Sequence, residues 1–214
     1  MDDYINRLEN NDSTLVKLDL WNRKIIDTKR FVNSLKNNTY LRCLEIRYGG
    51  YYFSADEIVE ILKYNTSLQK IIIYGMKNIS EGNFNKIINT LKINISLRIL
   101  DIGYGHINDD NAGEIANMLK VNTTLQKIYI YNNKINENGL IEIINALRIN
   151  TTLKVLDIEH NKFREKDVKE EIIDILQYNY TLKKLIGVDL GDFLSPENRN
   201  LRRRFLTTKC AKKS

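Results

Sequence analysis

The chain has 214 residues, 43% hydrophobic and 28% charged, so its length allows one domain or at most two small ones, and its composition argues against disorder. Its 10 glycines and 1 proline can supply few chain reversals. No apolar run approaches the length of a membrane-spanning helix, and the first residues lack a signal-peptide profile, so we expect a soluble, intracellular protein. Two distant cysteines, Cys43 and Cys210, predict unpaired thiols.

The formal net charge of +6 is concentrated at the C-terminus. From Arg199 onward the chain has seven basic residues and no acidic one, whereas residues 1–198 have 26 basic and 27 acidic residues. The body is therefore close to neutral and is expected to carry no basic stripe, which argues against nucleic acid as the main partner. The basic tail is either a solubilising terminus or a signal for nuclear import or for binding to anionic surfaces.

The chain divides into an N-terminal cap, a repeat array, a C-terminal cap and a tail. Near the start, Ile5 and Leu8 stand at helical spacing, which predicts a helix that covers the first repeat, because an uncapped end would expose the core. The predicted segments are the capping helix at 1–11, the repeats at 12–190, the C-terminal cap at 191–206 and a disordered basic tail at 207–214.

The array repeats a leucine followed by apolar residues three and five positions later. This pattern starts, at intervals of 26 to 29 residues, at Leu15, Leu41, Leu68, Leu97, Leu125, Leu153 and Leu182. Positions in each repeat are numbered from this leucine, and the alternation after it predicts a half-buried strand. A second apolar pattern at −10, −9 and −6 predicts a helix before each strand after the first. Neighbouring repeats must stack to bury both apolar faces, so the sequence predicts a solenoid.

An asparagine stands at −3 in each repeat after the first, where the chain turns from helix to strand. These hinge asparagines are Asn38, Asn65, Asn94, Asn122, Asn150 and Asn179, with Asp12 at the same place in the first repeat. Asn and Asp tolerate the left-handed backbone conformation better than other non-glycine residues. We therefore expect each to end its helix in that conformation, which would explain the shortage of glycine.

Two segments, 125–135 with Asn133 at +8 and 153–163 with Asn161, are similar to the LxxLxLxxNxL segment of leucine-rich repeats. The period of about 28 residues with a full helix resembles the ribonuclease-inhibitor subclass. This resemblance implies an α/β solenoid of six to seven repeats, a right-handed β-α superhelix with a parallel concave sheet and convex helices, in which the +8 asparagine hydrogen-bonds adjacent turns. Other residues occupy +8 in the earlier repeats, where we expect a looser turn: Arg23, Gly49, Met76 and Gly105.

The C-terminal cap begins with Ser195-Pro196-Glu197, which suits a helix start because proline fits the first helical position. We expect Leu201, Phe205 and Leu206 to pack back on the last repeat. The three arginines at 202–204 would then share a helix with this apolar edge.

The sequence shows no catalytic or metal-binding constellation. His106 and His160 lie at different offsets in repeats two apart and have no Cys or third His at a ligand interval. The segment 103–105 lacks the third glycine and the lysine of a phosphate-binding loop and is better explained as a repeat that lost its +8 asparagine. We therefore expect no enzyme activity, no metal and no cofactor.

The candidate binding surface is the concave face of the predicted sheet, towards which positions +4 and +6 point. Its candidate partner-binding residues are Trp21, Arg47, Tyr74, Asp101, Tyr129, Tyr131, Asp157 and Glu159. Tyr, Trp and Arg most often anchor protein interfaces, although strands also favour tyrosine by propensity alone. The predicted centre is Tyr74, Tyr129 and Tyr131, which we expect on consecutive strands.

These features predict a monomeric, non-enzymatic module that binds an unidentified protein on a rigid curved sheet and has no transmembrane segment. Two alternatives stay open. One is an activator-like regulator of a small GTPase, because some ribonuclease-inhibitor-like repeat proteins resemble such activators. The other is an adaptor that the basic tail directs to the nucleus or to an anionic surface.

The expected location is the cytoplasm, or the host cytoplasm if the protein is viral or an effector, with the nucleus accessible through the tail. Asn, Ile, Lys and Tyr, the amino acids of AT-rich codons, are abundant in the chain. This composition predicts an AT-rich source genome, such as that of a giant virus of amoebae, a protist or an intracellular bacterium.

Overall fold

The computed structural model describes residues 2–20, 27–48 and 53–202, in which helices and strands alternate. The strands are β1 (Lys17–Asp19), β2 (Cys43–Arg47), β3 (Lys70–Tyr74), β4 (Ile99–Asp101), β5 (Lys127–Tyr129), β6 (Val155–Asp157) and β7 (Lys184–Ile186). The helices are α1 (Asp2–Glu9), α2 (Thr28–Lys36), α3 (Ala55–Tyr64), α4 (Glu81–Leu91), α5 (Asp109–Leu119), α6 (Glu137–Ala146) and α7 (Glu165–Leu176). Two 3₁₀ turns, Met76–Asn78 and Gly191–Leu194, and a helical segment at 196–202 complete the described elements.

All seven strands form one parallel sheet in the order in which they occur along the chain. The pairing keeps the same offset from repeat to repeat: Leu18 pairs with Leu44, and Leu44 pairs with Ile71. Each helix packs beside the helices of the neighbouring repeats. The predicted α/β leucine-rich-repeat solenoid is confirmed.

The core lies between the sheet and the layer of helices. Position +3 is buried in all seven repeats, and Leu44 at +3 and Ile46 at +5 are both 0% exposed. From the helix side, Ile87 and Leu91 are equally buried. Full burial of one such side chain contributes about 2 kcal/mol. Neither layer can bury its apolar face without the other, so the repeats are stable only as a stack.

The hinge asparagines do not adopt the left-handed conformation, so that prediction is wrong. Non-glycine residues with positive φ angles are Asn11, Tyr104, His106, Asn132 and His160, and no hinge asparagine is among them. The turn is instead held by the asparagine side chain. In Asn150, Oδ1 accepts hydrogen bonds from the backbone N–H groups of Thr152 and Leu153 at 3.0 and 2.8 Å. Its Nδ2 donates to the carbonyl oxygen of Leu119, the last residue of α5 in the preceding repeat, at 2.8 Å.

The same arrangement recurs in every repeat after the first and forms an asparagine ladder along the stack. Its members besides Asn150 are Asn38, Asn65, Asn94, Asn122 and Asn179. An amide is needed because the same side chain must accept hydrogen bonds from backbone N–H groups of its own turn. It must also donate one to a carbonyl at the end of the helix in the preceding repeat. A buried backbone carbonyl without such a donor costs about 1–3 kcal/mol.

The asparagines at +8 form a second ladder, as the resemblance to leucine-rich repeats implied. Asn133 Nδ2 donates to the carbonyl of Ile102 in the preceding repeat at 3.3 Å, and its Oδ1 accepts from Gly105 N–H at 2.8 Å. Asn161 links its own repeat to the previous one in the same way. In the third repeat Met76 fills this position and is fully buried. The corresponding Arg23 and Gly49 lie outside the described residues, so the looser turn there stays a prediction.

The two ends of the array are closed differently. Helix α1 buries Ile5 and Leu8, each 1% exposed, against the first repeat. At the other end Leu201 is 60% exposed, so the prediction that it packs on the last repeat is wrong. Arg202 points inward instead, and its guanidinium lies 4.1 Å from the centre of the Phe193 ring. The predicted contacts beyond 202 and the basic tail lie outside the described residues.

Candidate functional site: the concave face

Three rows of side chains cross the concave face, with one residue from each repeat in each row. The lysine row, at +2, contains Lys17, Cys43, Lys70, Ile99, Lys127, Val155 and Lys184. The carboxylate row, at +4, contains Asp19, Glu45, Ile72, Asp101, Tyr129, Asp157 and Ile186. The aromatic row, at +6, contains Arg47, Tyr74, Gly103, Tyr131, Glu159 and Val188 in the described residues. The strand register sets neighbours in the first two rows side by side, about 5 Å apart.

The aromatic row is organised around Tyr131. Gly103 lies beneath its ring, because a Cβ added at Gly103 would stand 2.7 Å from Tyr131 Cζ. Tyr104 packs edge-on against Tyr131, with ring centres 5.4 Å apart and an interplanar angle of 86°. Burial, with the Asp101 carboxylate as a further cause, raises the pKa of Tyr131 to about 12. The glycine thus gives the tyrosine ring a fixed place on the sheet surface.

The three tyrosines of the predicted centre do not lie on consecutive strands, so that part of the prediction is wrong. Tyr74 ends β3 and Tyr129 ends β5, and β4 runs between them. The structure still brings them together, because Tyr131 reaches across Gly103 from the β5 repeat to the β4 repeat. All three side chains are half-buried on one surface. With Tyr104 they form what we call the tyrosine cluster.

Two carboxylates flank Tyr129 in the carboxylate row. Asp101 pairs with Tyr129, and Tyr129 pairs with Asp157, in the strand register. Each carboxylate accepts a hydrogen bond from the backbone N–H two residues later, from Gly103 at 3.2 Å and from Glu159 at 3.1 Å. Burial raises the pKa of both carboxyls above the ordinary value and outweighs these hydrogen bonds. A partner that brings N–H groups or cations would stabilise both carboxylates.

The lysine row was not predicted, although the alternation along a strand places +2 on the same face as +4. Lys17 Nζ lies 2.8 Å from Oε1 of Glu45 on the next strand. Lys70 lies close enough to Asp101 to oppose the rise in its pKa. The concave face is therefore banded, basic where the strands begin and acidic in the middle. The expectation that the body carries no basic stripe is wrong.

The remaining predicted residues lie towards the two ends of the face. Arg47 ends β2 and pairs with Tyr74, so it borders the tyrosine cluster. Glu159 is exposed on the far side of the cluster, beyond the backbone of Asn132, whose N–H donates to its carbonyl at 2.9 Å. Trp21 lies outside the described residues.

Within 2–20, 27–48 and 53–202, no group of three His, Cys, Asp or Glu side chains is placed to hold a metal ion. His106 and His160 occupy separate turns, with φ angles of 58° and 54°. Across the same residues, no helix is long and apolar enough to cross a bilayer; the longest, α7, has 12 residues.

Comparison with known families identifies the array. The sequence profile of the TMOD/LMOD leucine-rich domain matches residues 55–208. The chain belongs to the TMOD/LMOD leucine-rich domain family. The matched region begins with α3 and contains β3 to β7, and therefore the whole tyrosine cluster. Arg47 and Trp21 lie before it.

Two solved structures share the fold of this TMOD/LMOD domain over nearly their whole length. One is described as leiomodin-1 actin-binding site 2; it has a TM-score of 0.54 and 19% identity and covers 100% of this chain and 97% of its own. The other is the tropomodulin C-terminal domain of Caenorhabditis elegans, with a TM-score of 0.53, 11% identity and coverage of 97% and 98%. No curated protein sequence matches the chain significantly. At these identities the two structures establish the common fold.

Proposed function

We propose that this chain is a non-enzymatic protein-binding module that uses its concave face, and that its partner is an actin. The observation that carries the proposal is the tyrosine cluster, fixed on a rigid sheet beside two partly desolvated carboxylates. Membership of the TMOD/LMOD family and the fold shared with leiomodin-1 actin-binding site 2 support actin as the partner.

The packing of Tyr131 favours binding for a thermodynamic reason. Its ring is already held between Gly103 and Tyr104, so little side-chain entropy is lost when a partner covers it. Tyrosine also combines a large apolar ring with a hydroxyl that can bond to the partner. Residues with these properties are enriched among those that contribute most to protein interfaces.

The bands of charge favour a defined orientation of the partner. The lysine row and the carboxylate row run parallel across the sheet, so a partner with complementary charges binds in one direction only. We further propose that the protein acts as a monomer in the cytoplasm. Its abundance of Asn, Ile, Lys and Tyr supports an AT-rich source genome.

The experiment is a binding titration of the full chain with purified actin. Tyr129→Ala combined with Tyr131→Ala should weaken binding at least about 30-fold, the effect expected for two interface anchors. Glu170→Lys, on the exposed side of α7, serves as the control and should bind as the parent does.

The two parts of the proposal fail separately. If the parent chain does not bind actin at micromolar concentrations, actin is the wrong partner. If the parent binds and the tyrosine variant binds equally well, while Glu170→Lys loses affinity, the convex helices form the site instead of the concave face.

A further inference from the structure

One lateral face of the solenoid is both basic and apolar. It lies where the helices end and the strands begin, and in the six repeats after the first it consists of residues 36–43, 63–70, 92–99, 120–127, 148–155 and 177–184. Each of these six segments contains two Lys or Arg residues and no Asp or Glu. Although residues 1–198 are close to neutral in total, 12 of their cations lie on this one side.

The same lateral face carries most of the large apolar or aromatic side chains that are exposed among the described residues. Of the eleven large apolar or aromatic side chains that are exposed among the described residues, eight lie here. The most exposed are Ile93, Ile95 and Ile149, at 69%, 73% and 63%. Position −4 supplies one such side chain in five consecutive repeats: Tyr64, Ile93, Val121, Ile149 and Tyr178. Soluble proteins rarely leave a contiguous patch of this kind uncovered, and larger patches mark binding sites.

The requirements of folding explain only part of this pattern. Basic residues at the ends of helices, such as Lys63 and Lys120, complement the helix dipole. That effect does not extend to the cations where the strands begin, such as Lys127 and Lys183. Nor does it account for the isoleucines between the two groups of cations, which are exposed and add little to the core.

The lateral face is level. Because the strands pair at a constant offset, Cys43, Lys70 and Ile99 stand side by side and no strand start projects beyond its neighbours. Three of the 12 cations pair with carboxylates of the next convex helix, at 3.2 to 4.0 Å. In the part of the chain that the structure describes, Lys63 and Lys183 form no salt bridge, so their charge is available to a partner.

We propose that this lateral face binds the surface of an anionic lipid bilayer. The exposed side chains at −4 and Ile95 enter the boundary between headgroups and acyl chains, and the lysines and arginines on both sides contact anionic headgroups. The solenoid then lies on its side. Lys70, Lys127 and Lys184 of the lysine row lie on the border of both surfaces. The carboxylate row and the tyrosine cluster stay open, so lipid binding and binding of a protein partner are compatible.

Two observations favour a lipid surface over an acidic protein. Nine of the 12 cations are lysines, whereas protein interfaces are enriched in arginine and depleted in lysine. The apolar side chains also project from a level surface. A bilayer deforms around projecting side chains, whereas a protein partner would need a matching pocket for each.

The test is co-sedimentation of the full chain with vesicles of phosphatidylcholine alone or with added phosphatidylserine. Binding is expected only with phosphatidylserine, and salt should weaken it without abolishing it, because apolar insertion is not screened. Lys63→Glu, Lys120→Glu and Lys183→Glu together should lower partitioning about 100-fold, since each basic residue near an anionic membrane contributes about fivefold. Ile93→Ser with Ile149→Ser should remove the binding that persists in high salt.

The matched control reverses three exposed lysines on the opposite lateral face, Lys77→Glu, Lys134→Glu and Lys162→Glu. It has the same net charge and should keep partitioning within about threefold of the parent, because charges farther than about 8 Å are screened. Equal losses in the two triple variants would overturn the proposal. If circular dichroism shows that the first triple variant does not fold, partitioning of the single variant Lys183→Glu is compared with that of Lys134→Glu instead.

A second control separates the lateral face from the basic tail. Lys209→Gln, Lys212→Gln and Lys213→Gln together should leave most of the vesicle binding in place; its complete loss would assign the lipid contact to the tail. Failure of the parent to bind phosphatidylserine vesicles would also overturn the proposal. Binding of polyglutamate, lost in the first triple variant but not in the control, would then assign this face to an acidic protein segment.

Discussion

Arg202 donates a hydrogen bond from Nε to the carbonyl oxygen of Asn179, at 3.3 Å. In earlier repeats the equivalent carbonyl accepts from the next hinge asparagine: Asn179 Nδ2 donates to Asn150 at 3.0 Å, and Asn150 Nδ2 donates to Asn122 at 3.2 Å. Arg202 therefore supplies, at the β7 end of the array, the donor that an asparagine supplies elsewhere. A leucine in its place could not donate this hydrogen bond, and the neighbouring Leu201 points to solvent.

At the other end of the ladder the hinge position is held by Asp12. Its carboxylate accepts from the backbone N–H and the hydroxyl of Thr14, at 2.8 and 2.7 Å. A carboxylate has no amide hydrogen to donate, and its second oxygen binds Arg7 Nε at 2.7 Å. The ladder thus begins with an acidic residue, Asp12, and ends with a basic residue, Arg202.

Arg202→Ala should destabilise the fold by about 2 kcal/mol, because a charged donor to a buried carbonyl is lost. Arg202→Lys should restore little, since an ammonium group cannot reproduce both the guanidinium contact with Phe193 and the bond to Asn179. Urea unfolding followed by circular dichroism measures both. Lys166→Ala, an exposed position on α7, is the control and should stay within about 0.5 kcal/mol of the parent. Equal midpoints for Arg202→Ala and the parent would show that the ladder needs no terminal donor.

Asn150→Ala should cost about 2–4 kcal/mol, because two donor and two acceptor hydrogen bonds disappear inside the stack. Asn150→Gly should be no less harmful, since the residue does not have a positive φ angle. Asn150→Asp keeps the acceptor and loses both donors, so it should also destabilise. Urea unfolding measures the stability of each variant. If Asn150→Gly is as stable as the parent, the hinge asparagine acts through backbone conformation alone.

The hinge asparagines could be located from the sequence, but their role could not be predicted from it. Asparagine suits both a left-handed turn and a side-chain ladder, so its type and spacing alone could not separate the two. One signal was available: all six hinge positions hold asparagine and none holds glycine, which a left-handed turn would accept equally well. By contrast, the periods of leucine and isoleucine predicted the sheet and helices, because only one stacking buries both patterns.

The candidate site was predicted in outline and missed in detail for a related reason. Position +4 and position +6 identified Asp101 and Tyr131 on the concave face, because strand alternation fixes which side chains share a face. The support that Gly103 gives to the Tyr131 ring depends on contact between repeats, which no spacing along the chain reveals. The lateral face was missed because charge was counted along the chain instead of by position in the repeat.

Stability should fall between about pH 4 and pH 2, in part because of Asp12. Hydrogen bonds from Thr14 and Arg7 lower the pKa of Asp12 to about 2, whereas an unfolded chain has an aspartate pKa of about 3.9. A depressed pKa in the folded state stabilises the protein above the unfolded pKa, and that stability is lost as pH falls towards the folded value. In Asp12→Asn the decrease over this interval should be smaller. Identical urea midpoints against pH for the two proteins would contradict this.

Asp101→Asn should stabilise the protein at pH 7. Burial raises the pKa of Asp101 in the folded state, so the ionised carboxylate opposes folding at neutral pH. Asparagine removes that charge and keeps an oxygen to accept from the Gly103 N–H. The gain should vanish below the unfolded pKa of about 3.9, where aspartate itself is protonated. Thermal unfolding at pH 7 and pH 3 tests both statements. If the variant is less stable than the parent at pH 7, attraction between Lys70 and the Asp101 carboxylate outweighs the cost of burying that carboxylate.

Gly103→Ala tests the tyrosine cluster without altering a tyrosine. The new methyl group would stand 2.7 Å from Tyr131 Cζ, so the ring must leave its place over residue 103. Overpacking of this kind costs about 1–3 kcal/mol of stability. If the fixed ring is what actin contacts, affinity should fall about tenfold or more, because the partner must reorder the side chain on binding. Displacement of the ring should also bring the pKa of Tyr131, now about 12, down towards its ordinary value. The difference between the ultraviolet titrations of the variant and the parent detects this change against the other tyrosines.

The control for this variant is Gly82→Ala, in α4, where a Cβ meets nothing within 4 Å. Alanine is the better helix former by about 1 kcal/mol, so this change should raise stability and leave actin binding unchanged. The titration separates the possible results. If Gly103→Ala lowers the Tyr131 pKa and actin still binds with the parent's affinity, the ring has moved without consequence, and the position of Tyr131 cannot be what the partner recognises.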